Sequence, residues 1–384
     1  MLLLWKSTKD VGPQNFPLAL YPYSANCTSN PSTFLFAIRR AEIILRSFMS
    51  CRGPKNKMDP TLHRDRKPDW IKVRLPNNPE FWSTKSLITD LNLVTVCEEA
   101  QCPNRWECWS QKTATFMIAG EKCTRACGFC AVKTAKPDAL EADEPLRVAE
   151  ATRRMGLRHV VITAVARDDL RDGGAEHFKH TIEAVRDANP GIVIEVLVPD
   201  FNDRDWALQM CMDARPHIFN HNIETVERLT PLVRSRAKYD RSLAVLKKAK
   251  DMVGGKVATK SGIMLGLGER RDEILQAMDD LRDHDVTVLT LGQYLRPTPK
   301  HLPVVEFIHP DAFAEYKEIA LERGFRHVAS GPLVRSSYHA ADFKPEEDII
   351  DEIEADVRAT KGIELGPEHL PIPTAKPGLD QPVV

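Results

Sequence analysis

Six of the chain's nine cysteines fall between Cys97 and Cys130, in two triplets. The first reads Cys97-x4-Cys102-x5-Cys108. The second reads Cys123-x3-Cys127-x2-Cys130, within CTRACGFC. Three thiolates at short spacing suit an iron–sulfur cluster, where a tight loop wraps several irons of one cluster. Each triplet is one ligand short of four, so each cluster leaves an iron for something else. Zinc is the competing reading, but structural zinc takes four ligands, usually in two pairs. The histidine nearest in sequence, His159, falls in an expected buried strand. A redox pair at Cys127 and Cys130 leaves Cys123 idle. Cys27 and Cys51 are singletons without ligand spacing.

The rest of the composition narrows the class. At 384 residues, 42% of them hydrophobic, the chain can bury a sizeable core without disulfide staples. A formal net charge of −1 argues against a general nucleic-acid binder. The most apolar early stretch, 34–48, is broken by Arg39, Arg40 and Arg46, so no membrane span is expected. Clustered cysteines in a chain this long point to a metal protein in a reducing compartment.

Something must position the triplets. Short apolar runs at 115–119, 158–163, 192–198, 218–220, 256–265, 286–291 and 327–329 alternate with helical stretches. Those helices are expected at 145–155, 175–188, 203–212, 241–252, 272–283 and 310–323, with another near 80–90. Such alternation means βα units and a parallel sheet. About six repeats are too few for an eight-fold barrel, so an α/β fold of the partial (βα)6 TIM type is expected. Chemistry in such sheets sits at the carboxyl ends of strands, and the second triplet directly follows the first strand.

Four stretches divide the chain. Residues 1–57 carry eight Lys/Arg against two acids and nine Ser/Thr. This reads as a poorly ordered extension, either a transit peptide or residues preceding a true start at Met58. Residues 58–114 carry the first triplet, after a short extended arm at 69–74. Residues 115–343 form the barrel and its closing segment. Residues 344–384 hold ten acids against four Lys/Arg, with five prolines after Gly366. They read as an amphipathic helix over 348–358 with a solvated charged face, followed by a disordered tail.

With Phe129 before the last cysteine, the second triplet resembles the radical S-adenosylmethionine (radical SAM) superfamily. That resemblance implies a [4Fe–4S] cluster on Cys123, Cys127 and Cys130. Its open iron is chelated by the amino and carboxylate groups of SAM, and one electron breaks the sulfonium C–S bond to give a 5′-deoxyadenosyl radical. The open βα barrel is also that superfamily's fold. Gly262-x-Met264-x-Gly266-x2-Glu269 matches its adenine motif. Glu195 is expected at the ribose, and Asn222 and Arg234 at the methionine portion. Asp168, Asp169, Gly173 and Gly174 fall where the superfamily binds the SAM amino group, although GGAE is not the usual GGE.

CEEAQCPNRWEC, fourteen residues before CTRACGFC, together with RDDLRDGGAEHF, HNIETV and GPLVRSSYHA, resembles the lipoyl synthase family over residues 58–343. The resemblance implies a second, auxiliary [4Fe–4S] cluster on Cys97, Cys102 and Cys108, with Ser337 of Arg335-Ser336-Ser337-Tyr338 as fourth ligand. A serine alkoxide is harder than a thiolate and a poor match for cluster iron, so it makes a weak corner. The implied activity is sulfur insertion at C6 and C8 of a protein-bound octanoyl-lysine, with the auxiliary cluster as sulfur source. Implied partners are the lipoyl carrier domains of 2-oxoacid dehydrogenases (their E2 component) and the glycine cleavage H protein, with a ferredoxin or flavodoxin as electron donor. Arg105, Lys122 and Arg125 are candidates to meet an acidic carrier domain. The expected location is the bacterial-type cytoplasm, or a mitochondrion or plastid if residues 1–57 are a transit peptide. Two alternatives remain. One is another sulfur-inserting radical SAM enzyme, of the biotin synthase or methylthiotransferase kind. The other is a zinc-binding module without catalysis.

Overall fold

Alternation along each strand decides how this sheet curls. The computed structural model describes residues 67–72, 78–345 and 347–361. The expectations for residues 1–57, Cys27, Cys51 and the proline-rich end fall outside them. Strands β1 (Thr115–Ile118), β4 (His159–Ala164), β5 (Val193–Leu197), β6 (Ile218–Asn220), β7 (Ala258–Leu265), β8 (Val288–Gln293) and β9 (His327–Gly331) pair in parallel, in that spatial order. β1 and β9 are edges, so the barrel is open. It has the expected βα architecture, with a seventh strand closing six repeats. Two short strands, β2 (Lys122–Cys123) and β3 (Lys133–Thr134), pair separately.

One face of every strand is apolar. Phe116, Ile118, Val160, Ile162, Ile194, Val196, Phe219, Ile263, Leu265, Leu289 and Leu291 all belong to one core cluster under the helices. Those helices are α4 (Glu144–Met155), α5 (Ala175–Ala188), α6 (Asp205–Asp213), α8 (Tyr239–Met252), α9 (Arg271–Asp283) and α10 (Pro310–Glu322). Short α7 spans Thr230–Val233. Before the barrel come α1 (Pro79–Asp90), capped by the Asn78 side chain, α2 (Val96–Glu99) and α3 (Arg105–Ser110). Asp69 and Trp70 of the expected extended arm form a turn, and 73–74 lie outside the described residues.

The α6 start differs from expectation. Asn202 and Asp203 do not cap it; both have positive φ, within a 3-10 turn, and the helix begins at Asp205. The Asn202 amide is engaged by Arg125 and Asp168 instead.

The other face of the strands lines the barrel interior. At its amino-terminal end Val193, Ile218, Ala258 and Val288 pack with Phe343, which closes that end. One pleat above sits Glu195, fully buried, accepting hydrogen bonds from Lys260 Nζ (2.8 Å) and Asn220 Nδ2 (3.1 Å), with His159 Nε2 at 3.3 Å. Burial alone would raise the Glu195 pKa, but Lys260 and His159 overcome it and hold the carboxyl down at about 2. Its oxygens are spent inside the barrel, below the site. The ribose role expected for Glu195 is therefore corrected: this residue is half of a buried ion pair. Lys260→Met should leave that carboxylate uncompensated and cost about 3–5 kcal/mol, read as a lowered urea midpoint.

The acidic segment after the barrel is not merely a solvated face. Helix α11 (Glu347–Lys361) buries Ile353 and sets Glu354 3.4 Å from Arg186, with Glu352 3.2 Å from Lys256. Among the described residues no helix is long and apolar enough to cross a membrane.

Candidate active site

At the carboxyl ends of the strands the barrel opens into a cavity of about 490 Å³. Its wall includes Cys97 and Cys102 of the first triplet, all of Cys123, Cys127 and Cys130, and Ser337. Five of the six clustered cysteines therefore face one space. Cys108 stands behind it, partly buried against the core.

The second triplet is held from three sides. Parallel pairing of Lys122 with Lys133 and of Cys123 with Thr134 closes its loop at the base. In mid-loop the Gly128 N–H donates to Val233 O, and Gly128 O accepts from Leu302 N, both at 2.9 Å. A Cβ on Gly128 would lie 2.9 Å from the Leu302 side chain, so glycine suits this crossing. His301 Nε2 reaches Cys130 O at 2.9 Å. Beneath the loop Arg125 binds Asp168 and Asp200, each at 2.7 Å. Burial opposes ionisation of Asp168, but Arg125 brings its carboxyl down to about 2.

The same contacts correct several expectations. Arg125 is buried and fastens the loop to the strand ends, so it cannot greet a carrier domain. Asp168 pairs with Arg125 and Asp169 with Arg167, while Gly173 and Gly174 lead into α5. None of these four lines the cavity. Lys122 is paired with Asp138.

The remaining SAM candidates do reach the cavity: Phe129, Asn222, Arg234, Gly262 and Met264. Asn222 Oδ1 is buried without a hydrogen-bond partner. A Cβ on Gly262 would lie 2.9 Å from that oxygen and 2.7 Å from Thr290 Oγ1, so only glycine leaves this wall open. Arg234 Nη1 donates to the carbonyls of Asn222 (2.9 Å) and Ile223 (3.1 Å), which fixes the loop after β6. The end of the glycine motif has a different role from the one expected. Gly266 meets Gln293 and Glu306, not the cavity, and Glu269 accepts the N–H groups of Gly266 and Leu267. Sequence reasoning missed Glu224, which lines the cavity, accepts from Asn222 Nδ2 at 3.2 Å, and has its pKa raised by burial. The signal lies in HNIETV, which puts a carboxylate two residues past Asn222.

The first triplet rides on α2, the turn after it, and α3. Phe81 stacks on Trp106 at 4.5 Å, and Trp109 is fully buried. Trp109 Nε1 is buried without a hydrogen-bond partner. Thr115 links this triplet to the far end of the chain. Its hydroxyl donates to Ser337 Oγ at 2.8 Å. Asn104 Nδ2 to Leu333 O (2.6 Å) and Tyr338 OH to Glu107 (3.1 Å) dock the two segments together.

Without iron, burial favours the protonated form of Cys97, Cys108, Cys127 and Cys130. Burial pushes Cys97 and Cys127 up to about 11, and Cys108 and Cys130 up to about 12, with neighbouring thiols adding to the rise. Binding iron must displace those protons. The donor sets fit the clusters: soft sulfur at each site, a buried indole N–H without a partner in the first triplet's segment, and an orphan amide oxygen and a glycine-lined wall beside the other triplet. Among the described residues no three His, Cys, Asp or Glu converge tightly enough to hold a single metal ion. A cluster spreads its thiolates over separate irons and needs no such convergence.

Residues 117–281 match the radical SAM superfamily model, and residues 52–102 match the N-terminal domain of lipoyl synthase of that family. A lipoyl synthase of Shouchella clausii is 59% identical over 276 residues, covering 72% of this chain and 89% of that relative. One from Rubrobacter xylanophilus is 58% identical over 278 residues, covering 72% and 86%. Among solved structures, methylornithine synthase aligns with a TM-score of 0.44 at 14% identity, over 72% of this chain and 92% of that one. With five of the six clustered cysteines and a serine around one cavity, and with this identity to its relatives, the chain belongs to the lipoyl synthase family of radical SAM proteins.

Proposed function

We propose that this chain is a sulfurtransferase that inserts sulfur at C6 and C8 of an octanoyl group in amide linkage to a lysine of a lipoyl carrier domain. The observation that carries the reading is the single cavity shared by Cys123, Cys127, Cys130, Cys97, Cys102 and Ser337. A substrate carbon inside it can meet both a hydrogen-abstracting centre and a sulfur source without leaving.

The chemistry supplied when the groups are bound is one-electron cleavage of SAM at Cys123, Cys127 and Cys130, and sulfide donation from an auxiliary [4Fe–4S] cluster at Cys97, Cys102, Cys108 and Ser337. The protein's part is to bind, orient and exclude water. Asn222 Oδ1 offers an acceptor to the SAM amino group. Glu224 supplies a carboxylate to a cofactor that carries a sulfonium and an ammonium. Arg234 shapes the loop that presents both and faces the methionine carboxylate. Gly262 and Met264 leave a flat wall for adenine, beside Phe129. Met117, Leu197 and Val334 give the octanoyl chain an apolar path. At the auxiliary end, Thr115 holds Ser337 in the cavity wall that Cys97 and Cys102 share, and its hard oxygen would make a weak corner for that cluster.

The proposed partners are octanoylated carrier domains and a ferredoxin- or flavodoxin-type donor. The test is an anaerobic incubation of the reconstituted protein with SAM, a low-potential reductant and an octanoyl-lysyl peptide, read by mass. The expected product is the dihydrolipoyl peptide, and an unchanged peptide with SAM consumed would reject the reading.

A further inference from the structure

Arg335 lines the cavity without a role in the scheme above. The segment after β9 turns sharply twice, with Val334 N–H to Gly331 O at 3.1 Å and Tyr338 N–H to Arg335 O at 2.9 Å. Between those turns the backbone crosses the inner face of β8. A Cβ on Gly292 would lie 2.1 Å from Val334 O and 3.1 Å from Val334 C, both backbone atoms that cannot swing away. The same imagined Cβ would be 3.4 Å from Arg335 Nη1. Gly292 is therefore what allows this segment to dip into the barrel mouth, and Arg335 goes in with it.

Once there, the guanidinium is poorly matched. Its one acceptor among the described residues is Val334 O, at 2.6 Å from Nη1. Among those residues no carboxylate lies within ion-pair distance of it. The ionisable group whose charge acts on it is Cys102, a proposed auxiliary-cluster ligand, and both line the cavity. An arginine carries five N–H donors in a rigid fork and keeps its charge, so its partner should be an anion. A cluster held by three thiolates and an alkoxide supplies one.

We propose that Arg335 is the charge-compensating, positioning residue of the auxiliary cluster, brought into the cavity wall that Cys102 shares by the close pass of Val334 across Gly292. The inference rests on the reading that Cys97, Cys102, Cys108 and Ser337 hold that cluster. A fixed cation beside an anionic cluster favours the reduced form, and N–H groups aimed at its sulfurs act in the same direction. Arg335 binds no iron; it raises the potential of a centre that has to accept electrons as its sulfide leaves for carbon.

The experiment compares the reconstituted wild type with Arg335→Met and Arg335→Lys, by iron and sulfide analysis and potentiometric EPR. Adding SAM perturbs only the cluster that binds it, so the two centres are read separately. The expected result is a more negative auxiliary potential in Arg335→Met, a return towards wild type in Arg335→Lys, and an unshifted SAM-binding cluster in both. If Arg335→Met loses the second cluster outright, Arg335→Lys must keep it. An unchanged auxiliary potential in Arg335→Met overturns the proposal, as does an equal shift or equal loss in the two variants. Failure of the underlying reading looks different: the wild type itself would then hold about four irons, one cluster rather than two.

Discussion

Cys127→Ala should reduce SAM cleavage to background, a loss of about a thousandfold or more, equivalent to about 4 kcal/mol of barrier. The reason is local. Cys127 lines the cavity between Glu224 and Arg234, the two charged groups proposed to meet SAM. Two thiolates cannot hold the cluster against a loop fixed at Gly128 by Val233 and Leu302, because the loop has no slack to recruit another ligand. The first triplet is carried by different elements, α2 and α3, and should survive. Iron analysis should therefore fall by half and not to zero. Formation of 5′-deoxyadenosine, followed by chromatography under reducing anaerobic conditions, checks the activity. Retained cleavage would mean that SAM is opened elsewhere.

Ser337→Ala and Cys102→Ala should give the opposite pattern. SAM cleavage should stay within about threefold of wild type, a change of less than about 1 kcal/mol. Sulfur insertion should vanish. Both residues line the cavity, but neither contacts the Gly128 loop, and Ser337 is tied to β1 through Thr115. Ser337→Cys sharpens the test. A thiolate replaces the weak corner with a strong one, so the second cluster should form and resist opening, and insertion should slow. Lipoyl product from Cys102→Ala at the wild-type rate would remove the sulfur-donor role from this cluster.

Much of this layout is legible in the amino-acid sequence. Apolar runs and turn residues place the seven strands to within a few residues, because parallel strands buried on both faces read as continuous hydrophobic stretches. Cysteine spacing carries both triplets. What local pattern does not carry is the depth at which a side chain sits. Glu195 and Leu197 share one face of β5, yet only Leu197 lines the cavity, and Glu195 pairs with Lys260 a pleat below. Arg125 reads as an exposed cation because it stands in a polar loop; the partners that bury it, Asp168 and Asp200, come from two other strand ends. Gly292 carries no signal at all. Its need for hydrogen in place of a side chain comes from the backbone of Val334, far along the chain, and no short window of residues encodes that crossing.

The two triplets are thus unlike. On the proposed function, Cys123, Cys127 and Cys130 would serve a centre that is reused, whereas Cys97, Cys102, Cys108 and Ser337 would serve one that is consumed. A single-turnover reaction tests this most directly. The protein is reconstituted with heavy-isotope sulfide, freed of excess sulfide, and given SAM, reductant and octanoyl-lysyl peptide. The expected result is a dihydrolipoyl product in which both sulfurs are heavy, with one product per chain and iron released from the auxiliary site. Product bearing light sulfur, or many turnovers with both clusters intact, would contradict it.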